Sequence, residues 1–284
     1  MNFYSQWSIA LYQGNTPLTL APTHPRGGAT LTIRHVTDIR ARAVADPFLF
    51  RRGDRLYMFF EVMNADTGRG EIAYATSGDG LAWTYRSVVL TEPFHLSYPL
   101  VFEWDGSVHM IPETRQANEI RLYRAETFPT GWRYVGTLLV GRFADATLHQ
   151  HGGSWWLFAQ RGLDEMRLFQ ADQPTGPWRE HPMNPLWPGN RRRTRPAGRL
   201  FTYDDRLIRL AQDAWPSYGS ALRAFEVLRL DGNGYEEREL PNSPLFKASG
   251  SGWNALAMHH LDVMRMADGQ WIGAVDGAAL KLLA

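Results

Sequence analysis

The sequence predicts an all-β fold: a five-bladed β-propeller of four-stranded blades, with the ring closed by an N-terminal strand. Three observations lead there. Short apolar strands rich in aromatic and β-branched residues recur along the chain, paired across polar turns. The pairs repeat with a period near 50: Asp46 to Tyr98 is 52 residues, Tyr98 to Asp145 is 47, and Asp145 to Pro196 is 51. Long amphipathic helical patterns are missing, which counts against α/β folds.

Each blade can be read in order. In blade one, "ADPFLFRRGD" and "DRLYMFFE" form a hairpin, and "GEIAYATSGDGLAW" adds a third strand and a turn ending at Trp83. Blade two repeats this as "SYPLVFEWDG", "SVHMIPE" and "NEIRLYRAETFPTGW", ending at Trp132. Blade three runs "ADATLHQHGG", "SWWLFAQ" and "EMRLFQADQPTGPW", ending at Trp178. Blade four runs "PAGRLFTYDD", "RLIRLAQD" and "SALRAFEVLRLDGNGY", with Tyr235 in place of Trp. The Gly and Asp residues at the hairpin ends supply the positive φ that tight turns require. Blade five, "HHLDVMRMADG" and "QWIGAVDG", lacks a strand, whereas "WSIALYQG" near the N-terminus is a strand without a partner. Because an unpaired edge is a liability, Trp7–Tyr12 is expected to join the sheet of Trp271–Val275, with 15–43 as a connecting segment at the rim. Residues 1–284 are read as a single domain.

Composition narrows the function. The chain is 44% hydrophobic and 13% aromatic, with 11 Trp, so wedges for a large core are available. Net charge is +1, which gives no global field for nucleic acid or an anionic membrane. No Cys is present, which excludes disulfides, thiolate metal sites and Cys nucleophiles, and fits a reducing cytoplasm. The N-terminal apolar run is too short for a signal peptide, and no stretch reaches the roughly 18 apolar residues of a membrane helix. A soluble, cytoplasmic protein is expected. Walker A, Asp-x-Asp and Gly-x-Gly-x-x-Gly motifs are missing, and the His spacing fits no metal, so no cofactor and no metal are expected.

In a propeller, the start of each innermost strand and the end of the next strand meet at one mouth of the central channel. Those positions are Asp46 and Glu61, Tyr98 and Glu113, Asp145 and Gln160, Arg195 and Gln212-Asp213, and His259-His260 and Asp276. Five hairpins thus aim polar groups at one funnel. The dense basic run "RRRTRP" leads into blade four, so Arg195 is expected to face the funnel, where an anionic sugar would explain it. The loop "QDAWPSYG" offers Trp215 and Tyr218 as pocket walls.

"ADPFLF…DRLYMFFE…GEIAYATSGDGLAW" resembles the first blade of the five-bladed glycoside hydrolases of families 43, 32 and 68. "HLSYPLVFEWDGSVHMIPET" and "LYRAETFPTGW" more closely resemble the propeller domain at the N-terminus of plant glucosamine inositolphosphorylceramide transferases. The resemblance spans roughly Trp7 to Asp276. It implies a carbohydrate or glycoconjugate ligand. The hydrolases use an Asp on blade one, an Asp on blade two and a Glu on blade three. Asp46 matches the first; Tyr98 stands at the second, and Asp145 replaces the Glu of the third.

Glycosidic cleavage needs one protonated carboxylic acid and one ionised carboxylate, with environments that push their pKa values apart. The expected catalytic set is Asp46 as base or nucleophile, Glu113 as acid and Asp145 as an orienting group. Substrate contacts are expected from Glu61, His95, Tyr98, Gln160, Arg195, Gln212, Asp213, Tyr218 and His260. Two bland readings stand beside these. Asp46 and Asp145 could cap backbone amides at strand starts, and His95, His149, His259 and His260 could be structural. The function expected is a glycoside-hydrolase-like enzyme that cleaves or transfers a glycosyl unit. The alternative is a non-catalytic carbohydrate-binding propeller that positions substrate for a partner enzyme.

Overall fold

The computed structural model describes residues 3–24 and 27–282. They form five antiparallel sheets arranged as the blades of a ring. Blade one is Ala41–Arg52, Arg55–Asn64, Gly70–Ser77 and Thr84–Leu90, from the channel outward. Blade two is Ser97–Trp104, Ser107–Glu113, Glu119–Thr127 and Thr130–Val140. Blade three is Phe143–His151, Ser154–Arg161, Glu165–Ala171 and Arg179–Glu180. In blade four the innermost strand is broken into Arg195–Pro196 and Phe201–Tyr203, followed by Arg206–Asp213, Ala221–Asp231 and Gly234–Glu239.

Blade five joins both ends of the described chain. Leu261–Arg265 and Trp271–Leu282 are its inner strands, and Phe3–Gly14 is its third. The register pairs Ala10 with Val275, Leu11 with Ala274 and Tyr12 with Gly273, as the ring-closure reading requires. The segment after this strand does more than connect. Ala21–Pro22 pairs with Tyr12 and Gln13 as the outermost strand of blade five, and Ala41 already belongs to blade one.

Five apolar clusters fill the ring, one at each junction between neighbouring blades. Between blades one and two, for example, Phe50 and Phe59 meet Val101, Met110 and Trp132. Between blades three and four, Trp156 and Phe158 meet Leu200, Leu207 and Tyr235. This accounts for the aromatic load: of the 11 Trp, only Trp215 is classed as exposed, at 52%. Trp83 and Trp132 also fix the turns that precede them, each indole donating to the carbonyl three residues back, at 3.0 Å.

The channel is plugged below one mouth. Arg199 donates to the carbonyls of Val101 (3.0 Å) and Leu49 (3.2 Å), and pairs with Asp262 at 3.1 Å. Its guanidinium therefore ties blade four to blades one, two and five and gives the funnel a floor. Gly198, just before it, has φ of +131°, and a Cβ there would lie 1.9 Å from the carbonyl oxygen of Leu261. Only glycine fits that approach.

Candidate active site in the funnel

Three innermost strands carry the same local distortion. In blade one the pairing slips between Ala45 and Phe48, in blade two between Ser97 and Leu100, and in blade three between Ala144 and Thr147. Two residues then oppose one, which is a β-bulge. The first bulged residue has positive φ in each case: Asp46 at 53°, Tyr98 at 47° and Asp145 at 51°. None is glycine, so this left-handed backbone costs energy that the surrounding sheet must supply. The bulge re-aims each side chain toward the channel axis.

Two carboxylate groups result. In the first, Asp145 lies under Arg195, whose Nε donates to Oδ2 at 2.6 Å, while Gln212 donates to the same oxygen at 2.8 Å. Arg195 also reaches Glu113 Oε2 at 3.8 Å. In the second, the backbone N–H of Asp46 donates to Asp276 Oδ2 at 3.0 Å. Asp276 Oδ1 accepts from the Nδ1 of His259 at 2.9 Å and from the backbone N–H of His260 at 3.1 Å. Asp46 Oδ1 lies 4.0 Å from His259 Nδ1 and 3.9 Å from His260 Nδ1.

The two outer oxygens differ from the rest. Asp46 Oδ1 and Glu113 Oε2 are buried and have no hydrogen-bond partner, and His260 Nδ1 is in the same state. Buried polar atoms left open in this way are uncommon. Burial pushes Asp46 up from 3.8 to about 7; Asp276 and Asp145 add to this, and His259 and Arg195 oppose it. Burial, then Asp145, push Glu113 from 4.5 to about 8, against the pull of Arg195. Glu61 is raised well above the usual carboxylate range, first by burial and then by Asp46 and Glu113. Asp276 goes the other way. Burial alone would raise it, but the His259 contact and its hydrogen bonds outweigh that and hold it low. Asp46, Glu61 and Glu113 are thus pushed toward the neutral form while Asp276 is held ionised, so the carboxyl groups of the funnel are set for different work.

The remaining expected residues divide by what holds them. His95 Nδ1 accepts from the Gly70 N–H at 2.9 Å, which turns Nε2 to within 3.5 Å of Glu61 Oε1. His260 Nε2 donates to the carbonyl of Pro47 at 3.0 Å. Gln160 donates to the carbonyl of Leu163 at 2.9 Å, and Asp213 accepts from Arg223 at 2.8 Å and from the Trp215 N–H at 3.0 Å. These last two therefore brace loops at the rim. His149 lies further along the blade-three strand than Asp145, and burial, then His151 and Arg199, bring it down to about 4.

Tyr98 is fully buried, and its hydroxyl accepts from the Gly198 N–H at 2.6 Å and meets Thr147 Oγ1 at 2.8 Å. It ties blade two to blades three and four. Tyr98→Phe should leave the buried Gly198 N–H unpaired, at a cost of about 1–3 kcal/mol, while the Thr147 hydroxyl keeps its bond to the Asp145 carbonyl. Urea unfolding of the variant checks this; unchanged stability would free Tyr98 from a scaffold role.

Sequence reasoning placed His259 and Asp276 at the mouth without pairing them. Their pairing was not legible because it joins residues 17 apart across a hairpin register. Asp46, His259 and Asp276 also present ligand-type atoms within 4.8 Å of one another. Two of those atoms, His259 Nδ1 and Asp276 Oδ1, already lie within hydrogen-bond distance of each other at 2.9 Å.

The model of the family described as glucosamine inositolphosphorylceramide transferase 1, N-terminal, matches residues 3–278. The chain belongs to this family. It is 33% identical to glucosamine inositolphosphorylceramide transferase 1 of Oryza sativa subsp. japonica over 95% of its length, and 34% identical to that of Arabidopsis thaliana over the same share. It spans 40% and 39% of those two relatives. Among solved structures, the catalytic domain of the Coprinopsis cinerea family 62 α-L-arabinofuranosidase aligns with a TM-score of 0.63 at 11% identity, covering 95% of this chain and 96% of that one. A family 117 glycoside hydrolase from Zobellia galactanivorans aligns with a TM-score of 0.55 at 15% identity, covering 97% and 90%. At such identities the likeness concerns the fold. Among the described residues no helix is long and apolar enough to cross a membrane.

Proposed function

We propose that the funnel is a carbohydrate site and that it acts on a glycosidic bond, cleaving or transferring a glycosyl unit. One observation carries this reading: Asp46 and Glu113, from different blades, each bury an oxygen with no hydrogen-bond partner. Glu113, pushed to about 8, is the proton donor at neutral pH. Asp46, at about 7, passes to the ionised form there and serves as base or nucleophile. Asp145 is held by Arg195 and Gln212 and orients the acid. The names of the family relatives favour transfer onto or from a glycoconjugate.

Arg195 faces the funnel, but its charge is balanced by Asp145 at 2.6 Å. An anionic group on the ligand would instead meet Arg191 and Arg192, beside Trp215 at the rim of blade four. The cysteine-free sequence fits a reducing compartment, so a cytoplasmic location is part of the same proposal.

The test is a panel of glycosides and glycosyl donors presented to the wild type, with product release as the readout. A second reading is the binding module that positions substrate for a partner enzyme. It is favoured by Tyr98, which fills the blade-two bulge with a locked phenol instead of a carboxylate. Sugar binding without turnover across the whole panel would select this reading.

A further inference from the structure

The two carboxylate groups of the funnel are linked by a side chain that belongs to neither. Tyr218 sits on the loop 214–220 between the second and third strands of blade four. Its hydroxyl lies 2.9 Å from His259 Nε2, the nitrogen opposite the one bonded to Asp276. Its ring lies under the Arg195 guanidinium, 5.2 Å from centroid to Cζ. Both contacts are within the range of real interactions, a hydrogen bond and a cation–π pair.

The loop is docked at several points. The His259 ring is sandwiched, stacked on Trp7 at 4.1 Å and met edge-on by Tyr218 at 5.1 Å. Gly219 has φ of +70°, and a Cβ there would come within 3.2 Å of the Trp7 ring and 3.3 Å of His259. The carbonyl of Gly219 accepts from the Met258 N–H at 3.0 Å. Yet Tyr218 remains 47% exposed, so it lies between the buried groups and solvent. The charged and titratable groups facing His259 are Asp276 on its own blade, Asp46 on blade one, and Arg195 and Tyr218 on blade four, with His260 beside it.

We infer that Tyr218 is a positioning residue that couples the two halves of the funnel. Through its hydroxyl it holds His259 against Asp276 and beside Asp46. Through its ring it holds Arg195 against Asp145 and Glu113. This role rests on the funnel being the carbohydrate site; the coupling itself rests on the contacts alone.

The experiment compares Tyr218→Phe and Tyr218→Ala with the wild type by nitrogen-15 NMR, without ligand. Circular dichroism serves as the folding control. Tyr218→Phe removes only the hydroxyl. It should shift the His259 ring-nitrogen signals and leave the Arg195 Nε–H signal in place. Tyr218→Ala removes both contacts. It should shift His259 and also abolish the slowly exchanging Arg195 Nε–H signal. Should the Ala variant fail to fold, Tyr218→Leu replaces it in the second arm. His259 signals unchanged in Tyr218→Phe, or an unchanged Arg195 signal in the truncated variant, would overturn the coupling. A parallel titration of the wild type with neutral oligosaccharides separates the two claims. Absence of any binding removes the carbohydrate reading, whereas the NMR comparison still decides whether Tyr218 joins the two halves.

Discussion

Asp46→Asn is expected to cut turnover by orders of magnitude while sugar binding survives. The substitution is nearly isosteric, so the bulge and the Asp276 hydrogen bond to the residue 46 N–H are retained. What is lost is the ability of Oδ1, the buried and unpartnered oxygen, to accept a proton or attack carbon. General-base or nucleophilic contributions are typically about 10²–10⁴-fold, and an amide supplies neither. Single-turnover kinetics beside binding measurements distinguish this from a loss of affinity. Equal turnover in both proteins would remove Asp46 from the chemistry.

The same variant has a thermodynamic signature with a definite sign. Burial raises Asp46 from 3.8 to about 7, so the folded state binds a proton that the unfolded chain releases. The associated stability is fully present below pH 4 and is lost as pH rises through about 7. Glu113 behaves alike, up to about 8. Asp46→Asn should therefore unfold at a higher temperature than the wild type at pH 8, with the difference vanishing near pH 4. A wild type that gains stability between pH 4 and 8 relative to this variant would contradict the sign.

Deleting residues 1–13 is expected to abolish the cooperative fold. The lost strand is the third of blade five. It buries Ile9 and Leu11 almost completely and Tyr12 to 8% exposure. Each such side chain contributes about 1.5–3 kcal/mol, against a total stability of about 5–15 kcal/mol. Its removal also opens the edge of Trp271–Leu282 and strands Ala21–Pro22 without a partner. Trp7 goes too, and with it the stacking surface of His259. Calorimetry or urea unfolding should show no cooperative transition; a transition like that of the full chain would mean that the ring does not need this strand.

The ring was legible because its signals are local and repeated. Asp105-Gly106 announces its turn, and φ is positive at both residues, 49° and 68°. The N-terminal strand was legible from a deficit, since blade five was one strand short. Ala21–Pro22 was not, because two residues of Ala-Pro carry no strand signature and their pairing depends on the turn after Gly14. In the site, the recurrence of polar residues at strand ends placed Asp46, Glu113 and Asp145 at one mouth. It gave no hint of the bulges, because the positive φ of Asp46, Tyr98 and Asp145 is imposed by the sheet and carries no glycine marker. The partners of Tyr98, Gly198 and Thr147, lie 100 and 49 residues away. The setting of His259 requires Trp7 from the far end of the described chain and Tyr218 from another blade. Such contacts exist only once the ring is closed.

Carbon-13 NMR titration of the side-chain carboxyls tests the central claim most directly, that the funnel separates its carboxyl groups into different protonation states. The account predicts that Asp46 titrates near 7 and Glu113 near 8, with Asp276 ionised below its ordinary range. Asp46→Asn and Glu113→Gln assign the two signals by their disappearance. Both groups titrating together near pH 4 would mean that the funnel is solvated and unspecialised, and the account would fail.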